Sequence, residues 1–134
     1  MAVVGAPIHD LLIRIKNAYL ARKTVIKGVI FSNFKVKLLD ILKQYNFIEK
    51  YVVEEENNKK FLAVYLHTVT NPTEDIPVIK FYSKPSKPWY VGYQDLKNVA
   101  AGKGIGIIST NEGLMPVHVA KEKKIGGELI AEIY

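Results

Sequence analysis

The C-terminal stretch, residues 105–134, constrains the fold of this chain more than any other segment. Two apolar, strand-like runs, residues 105–108 and 129–134, flank two turns that are rich in small residues. The first turn, residues 109–113, presents two hydroxyls and a carboxamide in succession, and the second is the run Gly-Gly-Glu at 126–128. Such neutral side chains both donate and accept hydrogen bonds. Strands that present them are typical of a recognition surface rather than a linker.

The first half of the chain predicts two helices and a hairpin. Residues 7–21 favour a helix because apolar side chains recur at three- and four-residue steps after a proline that suits a first helical turn. Ser32 favours the N-cap of a second helix over residues 33–45, and Asn46 favours its end. The predicted inward positions of this helix are Phe34, Leu38, Ile41, Leu42 and Tyr45. Residues 25–31 form a short β-branched segment, and residues 47–55 and 60–67 predict the two strands of a hairpin.

The second half consists mostly of predicted strands. Strands are expected at residues 76–83, 89–91, 105–109 and 128–133, and short helices at 94–101 and 117–124. Helices and short strands followed mostly by strands indicate the α+β class. We therefore expect two small packed α/β subdomains: residues 1–71 with two helices on a short sheet, and residues 72–134 with mostly antiparallel strands and short helices. The turn-forming residues 70–73 mark the boundary.

The charge distribution favours an anionic partner. The 134-residue chain has a formal net charge of +6, which favours nucleic acid, although a merely soluble basic surface explains the total equally well. Residues 1–71 hold 11 basic and 6 acidic side chains, whereas residues 72–134 hold 8 and 7. The first half therefore carries most of the net positive charge. Any recognition by the C-terminal turns must depend on hydrogen-bond geometry.

Few residues in the chain are suited to catalysis. Cysteine is absent, and His9, His67 and His118 are scattered without a partner at metal-ligand spacing. The glycine-rich residues 102–106 precede a strand, so their amides lack the helix N-terminus on which a phosphate loop depends. No apolar run approaches the roughly 20 residues that span a bilayer, and charged residues interrupt the N-terminal apolar positions. We expect a cytoplasmic protein that is not an enzyme and has no cofactor, metal or membrane partner.

Several segments together resemble one known family. The C-terminal ones read Ser109-Thr110-Asn111-Glu112-Gly113-Leu114-Met115 and Ile125-Gly126-Gly127-Glu128. They are similar to the motifs Ser-Thr-Ser-x-Gly-hydrophobic-Met and hydrophobic-Gly-Gly-Glu of the bacterial small-subunit ribosomal protein S8 family. The likeness extends to Pro7, Asp10, Arg14 and Asn17 of the first helix, to Ser32 and Lys35 of the second, and to Ser83-Lys84-Pro85 with Tyr90. The spacing agrees over essentially the whole chain.

The resemblance implies a structural RNA-binding protein. Members of the family bind the central domain of 16S rRNA, help its assembly beside neighbouring small-subunit ribosomal proteins, and in some bacteria repress their own operon mRNA. The family's fold is two small packed α/β subdomains, and its specific contacts carry over to Ser109, Thr110, Asn111, Gly126, Gly127, Glu128 and Tyr90. Further rRNA contacts are expected from the N-terminal helices and the loop before Tyr90, at Arg14, Lys16, Asn17, Lys35, Lys37 and Lys84.

Two departures from the family pattern and one alternative function stay open. Asn111 stands where the family usually has Ser, and residues 116–118 replace a family Thr-Asp-Arg, which removes one charged contact. The alternative is a protein–protein adaptor module of the α+β class. It would use Trp89, Tyr90 and the proline-rich loop at residues 85–88 to bind an acidic partner.

Overall fold

A computed structural model describes residues 5–68, 76–83, 86–96 and 104–134. The boundary expected between residues 71 and 72 lies outside these ranges and stays a prediction.

The chain divides into two compact units. One is Leu11–Pro77, and the other combines Met1–Asp10 with Val78–Tyr134. The first helix, α1 (Gly5–Leu20), contributes residues to both units. It begins two residues before the predicted start and buries the apolar stripe that the sequence predicts, which consists of Ile8, Leu11, Leu12, Ile15 and Ala18.

The end of α1 is a Schellman arrangement. Lys23 N donates to Ala18 O at 2.8 Å, and Arg22 N donates to Tyr19 O at 3.0 Å. Arg22 holds the left-handed conformation with φ 59°, although it has a β-carbon. The helix therefore ends at a position where glycine is the residue usually favoured.

The second helix, α2 (Asn33–Gln44), begins at the residue that the sequence predicts and ends one residue before its predicted end, with Tyr45 as the C-cap. Ser32 Oγ accepts a hydrogen bond from Lys35 N at 3.2 Å and caps the first turn. At the other end, Asn46 has φ 65°, and Phe47 N donates to Leu42 O at 2.8 Å. Both termini are thus encoded locally.

The predicted inward face of α2 is correct in its central part, whereas Tyr45 beyond its last turn is half-buried. Leu38, Ile41 and Leu42 are buried, but Phe34 is 45% exposed. Phe34 lies in the first turn, and helical side chains tilt toward the helix N-terminus. Its ring therefore projects beyond the part of the helix that packs from Leu38 onward.

The unit Leu11–Pro77 contains one antiparallel sheet in the order β1-β3-β2. The strands are β1 (Val25–Ile30), β2 (Lys50–Glu56) and β3 (Lys59–Tyr65). β2 and β3 form the predicted hairpin through Asn57 and Asn58, which have φ of 51° and 65° as a type I′ turn requires. In β1, a bulge around Gly28 shifts the register on β3.

The other unit is built on five antiparallel strands. They are β4 (Ile79–Phe81), β5 (Tyr90–Val91), β6 (Ile105–Thr110), β7 (Gly113–Pro116) and β8 (Gly127–Ile133). β8 is the central strand: it pairs with β4 and β5 on one side and with β6 on the other, and β6 pairs with β7. The sequence predicts every one of these strands except β7.

Short helices complete this unit. α3 (Val117–Glu122) confirms the helix predicted at 117–124. The helix predicted at 94–101 is wrong at its beginning, because a 3-10 turn at Tyr93–Asp95 precedes an extended Leu96, and residues 97–101 lie outside the described part. The core of this unit contains Leu96, Ile108, Met115, Val117 and Ala120. The elements of both units confirm the predicted α+β class.

Candidate nucleic-acid interface

Three of the predicted contact residues lie in one row across the five-stranded sheet. Glu128 of β8 is paired with Tyr90 of β5 on one side and with Ser109 of β6 on the other. Directly paired residues of antiparallel strands project from the same face. Tyr90 is 68% exposed, Ser109 is half-buried and Glu128 is 8% exposed. The row therefore places a phenol, a carboxylate and a hydroxyl side by side, with the carboxylate set deepest.

The hairpin turn beside this row is closed by Thr110. Thr110 Oγ1 donates to Gly113 O at 2.9 Å and accepts a hydrogen bond from Glu112 N at 3.1 Å. Thr110 at the end of β6 pairs with Gly113 at the start of β7, so Asn111 and Glu112 form the exposed tip. A hydroxyl has one proton to donate, and here the turn uses it. Thr110 therefore positions the tip, whereas the exposed Asn111 carboxamide faces solvent.

The Gly126-Gly127 pair allows three strands to approach this closely. A β-carbon on Gly127 would lie 2.2 Å from Ser109 O, and one on Gly126 would lie 2.5 Å from Val91 O. Both obstacles are backbone atoms of neighbouring strands, which cannot rotate away as a side chain can. The two glycines thus hold β5 and β6 against β8, and the row depends on them.

The adjacent aromatic residues Trp89 and Tyr90 have different surroundings. Trp89 N donates to the buried Ser83 Oγ at 2.7 Å, and its indole meets the Tyr82 ring edge-on at 6.4 Å between centroids. The Trp89 side chain is 50% exposed. Trp89 is therefore anchored at one end, whereas Tyr90 stands open beside Glu128.

Two predicted contacts on α1 border one groove. Arg14 and Asn17 are exposed and line a groove of about 470 Å³. Arg14 Nη2 donates to Lys27 O at 3.0 Å, which fixes the guanidinium against β1. Lys23 and Lys27 line the same groove. The sequence-based assignment did not include these two lysines, and only the excess of basic residues in this half of the chain pointed to them.

The remaining predicted cations are on both helices of this half of the chain. Lys37 of α2 is exposed, and Lys16 of α1 is half-buried. Lys35 Nζ donates to Ile30 O at 3.0 Å, so this ammonium group is partly occupied within the protein. Lys84 lies outside the described residues. Among the described residues, the predicted cationic contacts thus lie in the unit Leu11–Pro77, and the contacts of the C-terminal turns lie with Tyr90 in the other unit.

The described residues offer no other obvious chemistry. Within ranges 5–68, 76–83, 86–96 and 104–134, no group of three or more histidine, aspartate and glutamate side chains could hold a metal ion. Over those same ranges, no helix is both long and apolar enough to cross a membrane. No buried side-chain nitrogen or oxygen in the described part lacks a hydrogen-bond partner. The groups available to a ligand are therefore those that face solvent.

The family model for ribosomal protein S8 matches residues 6–134. The chain belongs to the ribosomal protein S8 family. Small ribosomal subunit protein uS8 of Pelagibacter ubique is 39% identical over 129 residues, which cover 96% of each chain. The protein of the same name from Lactobacillus johnsonii is 38% identical over 132 residues, covering 98% of this chain and 99% of the relative. That of Geobacter metallireducens is 37% identical over 128 residues, 96% of each.

Membership of the ribosomal protein S8 family confirms the resemblance that the sequence motifs carry. It also confirms the prediction of a structural protein that is not an enzyme.

Proposed function

We propose that this protein is a structural constituent of the small ribosomal subunit and binds the central domain of 16S rRNA. The observation that carries the proposal is the strand register that aligns Tyr90, Glu128 and Ser109 beside the exposed tip at Asn111. Its relatives in three bacteria bear the name small ribosomal subunit protein uS8, which supports it. In that role the protein works in the cytoplasm, beside neighbouring small-subunit ribosomal proteins.

The row and the tip beside it suit RNA better than DNA. A-form RNA offers 2′-hydroxyls and base edges in a wide, shallow minor groove and at irregular helices. Ser109 and Asn111 carry short groups that both donate and accept hydrogen bonds, so they can approach such a surface closely. The open Tyr90 ring can stack on an unpaired base.

Glu128 has a different role in this row. An ionised carboxylate only accepts hydrogen bonds, so it pairs with a base amino group or a 2′-hydroxyl and repels phosphates. Because it lies between Tyr90 and Ser109 and is almost buried, it penalises any RNA register that brings a phosphate to the row. Glu128 thus contributes specificity rather than attraction.

The cations of the other unit supply attraction. Arg14 and Lys37 are exposed, and Lys16 and Lys35 are partly so. Lysine and arginine at phosphates release counterions, which makes affinity fall with salt. Phosphate contacts position a protein on its site, and contacts to bases and sugars specify it. The two classes of residue should therefore respond differently to ionic strength.

The experiment measures binding of a 16S rRNA central-domain fragment over a series of salt concentrations. Ser109→Ala should cost about 1 kcal/mol or more by loss of hydrogen bonds, with the salt dependence unchanged. Lys35→Ala and Lys37→Ala should flatten the salt dependence instead. Lys37 gives the cleaner result, because Lys35 Nζ also bonds to Ile30 O.

Matched controls distinguish the loss of an RNA contact from a general effect of a surface substitution. Thr68→Ala changes an exposed hydroxyl residue in the other unit, and Lys59→Ala removes an exposed cation from the β2–β3 hairpin. Neither should change affinity by more than about twofold, since surface changes away from a site are usually small. If Ser109→Ala and Lys37→Ala changed the salt dependence alike, the division of labour would be wrong. A wild-type protein without salt-sensitive RNA binding would exclude the proposed function.

Repression of the protein's own operon mRNA belongs to the same proposal. A surface that reads shape and hydroxyls accepts any RNA with the same irregular helix, so the mRNA and the rRNA fragment should compete for it. Ser109→Ala should weaken the binding of both RNAs by similar factors. An operon transcript that fails to displace the rRNA fragment would exclude repression by this surface.

The half-exposed Trp89 and the open Tyr90 favour a protein–protein adaptor as the second candidate. Trp89→Ala distinguishes the two functions. If the protein is an adaptor, this variant should lose affinity for an acidic protein partner. An adaptor would show no RNA binding either before or after the substitution. The ribosomal function predicts RNA binding at wild-type strength, because Trp89 lies outside the row.

A further inference from the structure

The groove between the last turns of α1 and strand β1 has a distinctive charge. Arg14, Lys23 and Lys27 line it together with Asn17, and no acidic side chain of the described residues does. All four residues are exposed. Three cations around one concave surface of about 470 Å³ create a strongly positive local potential. A solvated helix face has no need to gather them in one groove.

One of these cations is held in place. Arg14 Nη2 donates to Lys27 O at 3.0 Å, and a guanidinium has further N–H donors in a rigid fork. Since the acceptor is the backbone oxygen of Lys27, the bond does not occupy the ammonium of Lys27. Arg14 is thus oriented by the strand that presents the neighbouring lysine.

The floor of the groove is apolar. Ala18 and the exposed Ala21 lie on the helix side, and Val25 and Ile26 line the strand side. A sugar–phosphate backbone combines apolar ribose carbons with charged phosphates, which matches an apolar floor between cationic side chains. Lysine and arginine are the usual ligands of such phosphates.

Lys27 also marks the limit of this surface. On its other side it borders a second groove, of about 510 Å³, whose wall carries Glu54, Glu55 and Glu56. Three carboxylates there would repel phosphates. An RNA strand that reaches Lys27 therefore has to lie on the side of Arg14 and Lys23.

We propose that this groove binds consecutive phosphates of an RNA backbone, with Lys23 and Lys27 as phosphate ligands beside Arg14. The inference rests on the proposed function and adds to it a second, sequence-independent contact in the unit Leu11–Pro77. In this proposal Lys23 contacts RNA. Its position near the C-terminus of α1 would otherwise be explained by attraction of a cation to the negative end of the helix dipole.

Two kinds of variant of the whole chain test the charge of the groove and the shape of the groove separately. Lys23→Gln and Lys27→Gln remove one charge each and keep the length of the side chain, and Lys27→Gln also keeps the carbonyl that holds Arg14. Each should reduce the slope of log affinity against log salt by about 0.7 to 0.9 and weaken binding of the 16S rRNA fragment about fivefold at 0.15 M salt. Lys59→Gln, an equal loss of charge on the hairpin of the same unit, is the control and should do neither.

A neutral variant tests whether the strand enters the groove. Ala21→Leu fills the floor from an exposed position without changing charge. It should weaken RNA binding several-fold at an unchanged melting temperature. If the two lysine variants weaken binding and Ala21→Leu does not, RNA contacts an open surface and the groove proposal is wrong.

The remaining outcomes separate this inference from the proposed function. If the wild-type protein binds the RNA and both lysine variants behave like Lys59→Gln, the groove proposal is overturned and the proposed function stands. If the wild-type protein does not bind the RNA, the proposed function fails, and this inference fails with it. If both lysine variants and Ala21→Leu weaken binding as stated, the groove is a phosphate site.

Discussion

Substitution of Gly127 by alanine tests how the contact row is built. Gly127 is not among the glycines at positive φ, so alanine would introduce no backbone strain at this position. The added β-carbon would nevertheless lie 2.2 Å from Ser109 O and 3.1 Å from Thr110 Cα. The whole effect must therefore arise from the distance between β6 and β8.

The magnitude follows from that distance. Real β-carbons essentially never approach closer than 3.0 Å, so the two strands must separate locally from 2.2 Å to at least that value, by about 0.8 Å. A ladder hydrogen bond of about 2.9 Å that is stretched by this amount exceeds hydrogen-bonding distance. One or two lost bonds cost about 1 kcal/mol each, and overpacking adds about 1–3 kcal/mol. We expect a loss of about 2–5 kcal/mol in the free energy of unfolding.

Urea unfolding followed by circular dichroism measures this loss, and thermal unfolding should show a decrease in melting temperature of roughly 6–15 °C for a chain of this length. Gly92→Ala is the matched control: its β-carbon would meet nothing closer than Asp95 Oδ2 at 4.0 Å. The control should leave stability unchanged or raise it by up to about 1 kcal/mol through the unfolded state. If Gly127→Ala came within about 0.5 kcal/mol of wild type, close strand approach would not be the reason for this glycine.

Three further outcomes follow from contacts elsewhere in the described chain. Thr110→Val keeps the side-chain shape but loses both turn hydrogen bonds, so stability should fall by about 1–2 kcal/mol; Thr110→Ser should restore it in the same urea assay. The hydrogen bond from the Tyr51 hydroxyl to Asp40 Oδ1 (2.6 Å) raises the pKa of Tyr51 to about 12 from 10.0. This contribution to stability is complete below pH 10 and is lost as the pH rises toward 12, and Tyr51→Phe should flatten the alkaline fall in unfolding midpoint. Arg22→Gly should raise the melting temperature by relieving the left-handed conformation, a gain of about 0.5–1 kcal/mol, whereas Arg22→Ala should not.

Local chemistry made much of the fold predictable. The Ser32 cap and the Asn46 end of α2 follow from residues whose side chains or conformations act on their own neighbours. The β2–β3 hairpin follows from two adjacent asparagines that tolerate positive φ. Each of these signals works over a few residues, so the surrounding fold does not change its meaning.

Features that depend on partners in space were harder to predict. The exposed Phe34 belongs to the correct helical stripe, but the stripe extends beyond the elements that cover it. β7 is only four residues long and ends at Pro116, so it has too few residues to show an alternating pattern. The groove at Lys23 and Lys27 forms only when β1 packs beside α1. No local pattern marks any of these three.

In the contact row, adjacent residues of one sequence motif have different structural roles. Motif similarity singled out Ser109 and Thr110 as equals, yet adjacent strand residues point to opposite faces, and only Ser109 shares the face of Glu128. The Thr110 hydroxyl is used inside the turn. Tyr90 and Ser109 are aligned only because β5 and β6 both pair with β8 in a fixed register. The two residues lie almost twenty positions apart in the sequence.

Asn111, where the resemblance to the family predicts a serine, lies at a position that the fold does not constrain. Thr110 and Gly113 close the hairpin, and within the described part of the chain no hydrogen bond from the Asn111 side chain contributes to it. The fold is therefore indifferent to this exposed side chain, and a longer amide in place of a hydroxyl alters only its reach toward a ligand. Gly127 is the opposite case, because any side chain there separates the strands that define the row. Residues that build the row should consequently tolerate less change than residues at the tip beside it, although both belong to the segments that carry the family resemblance.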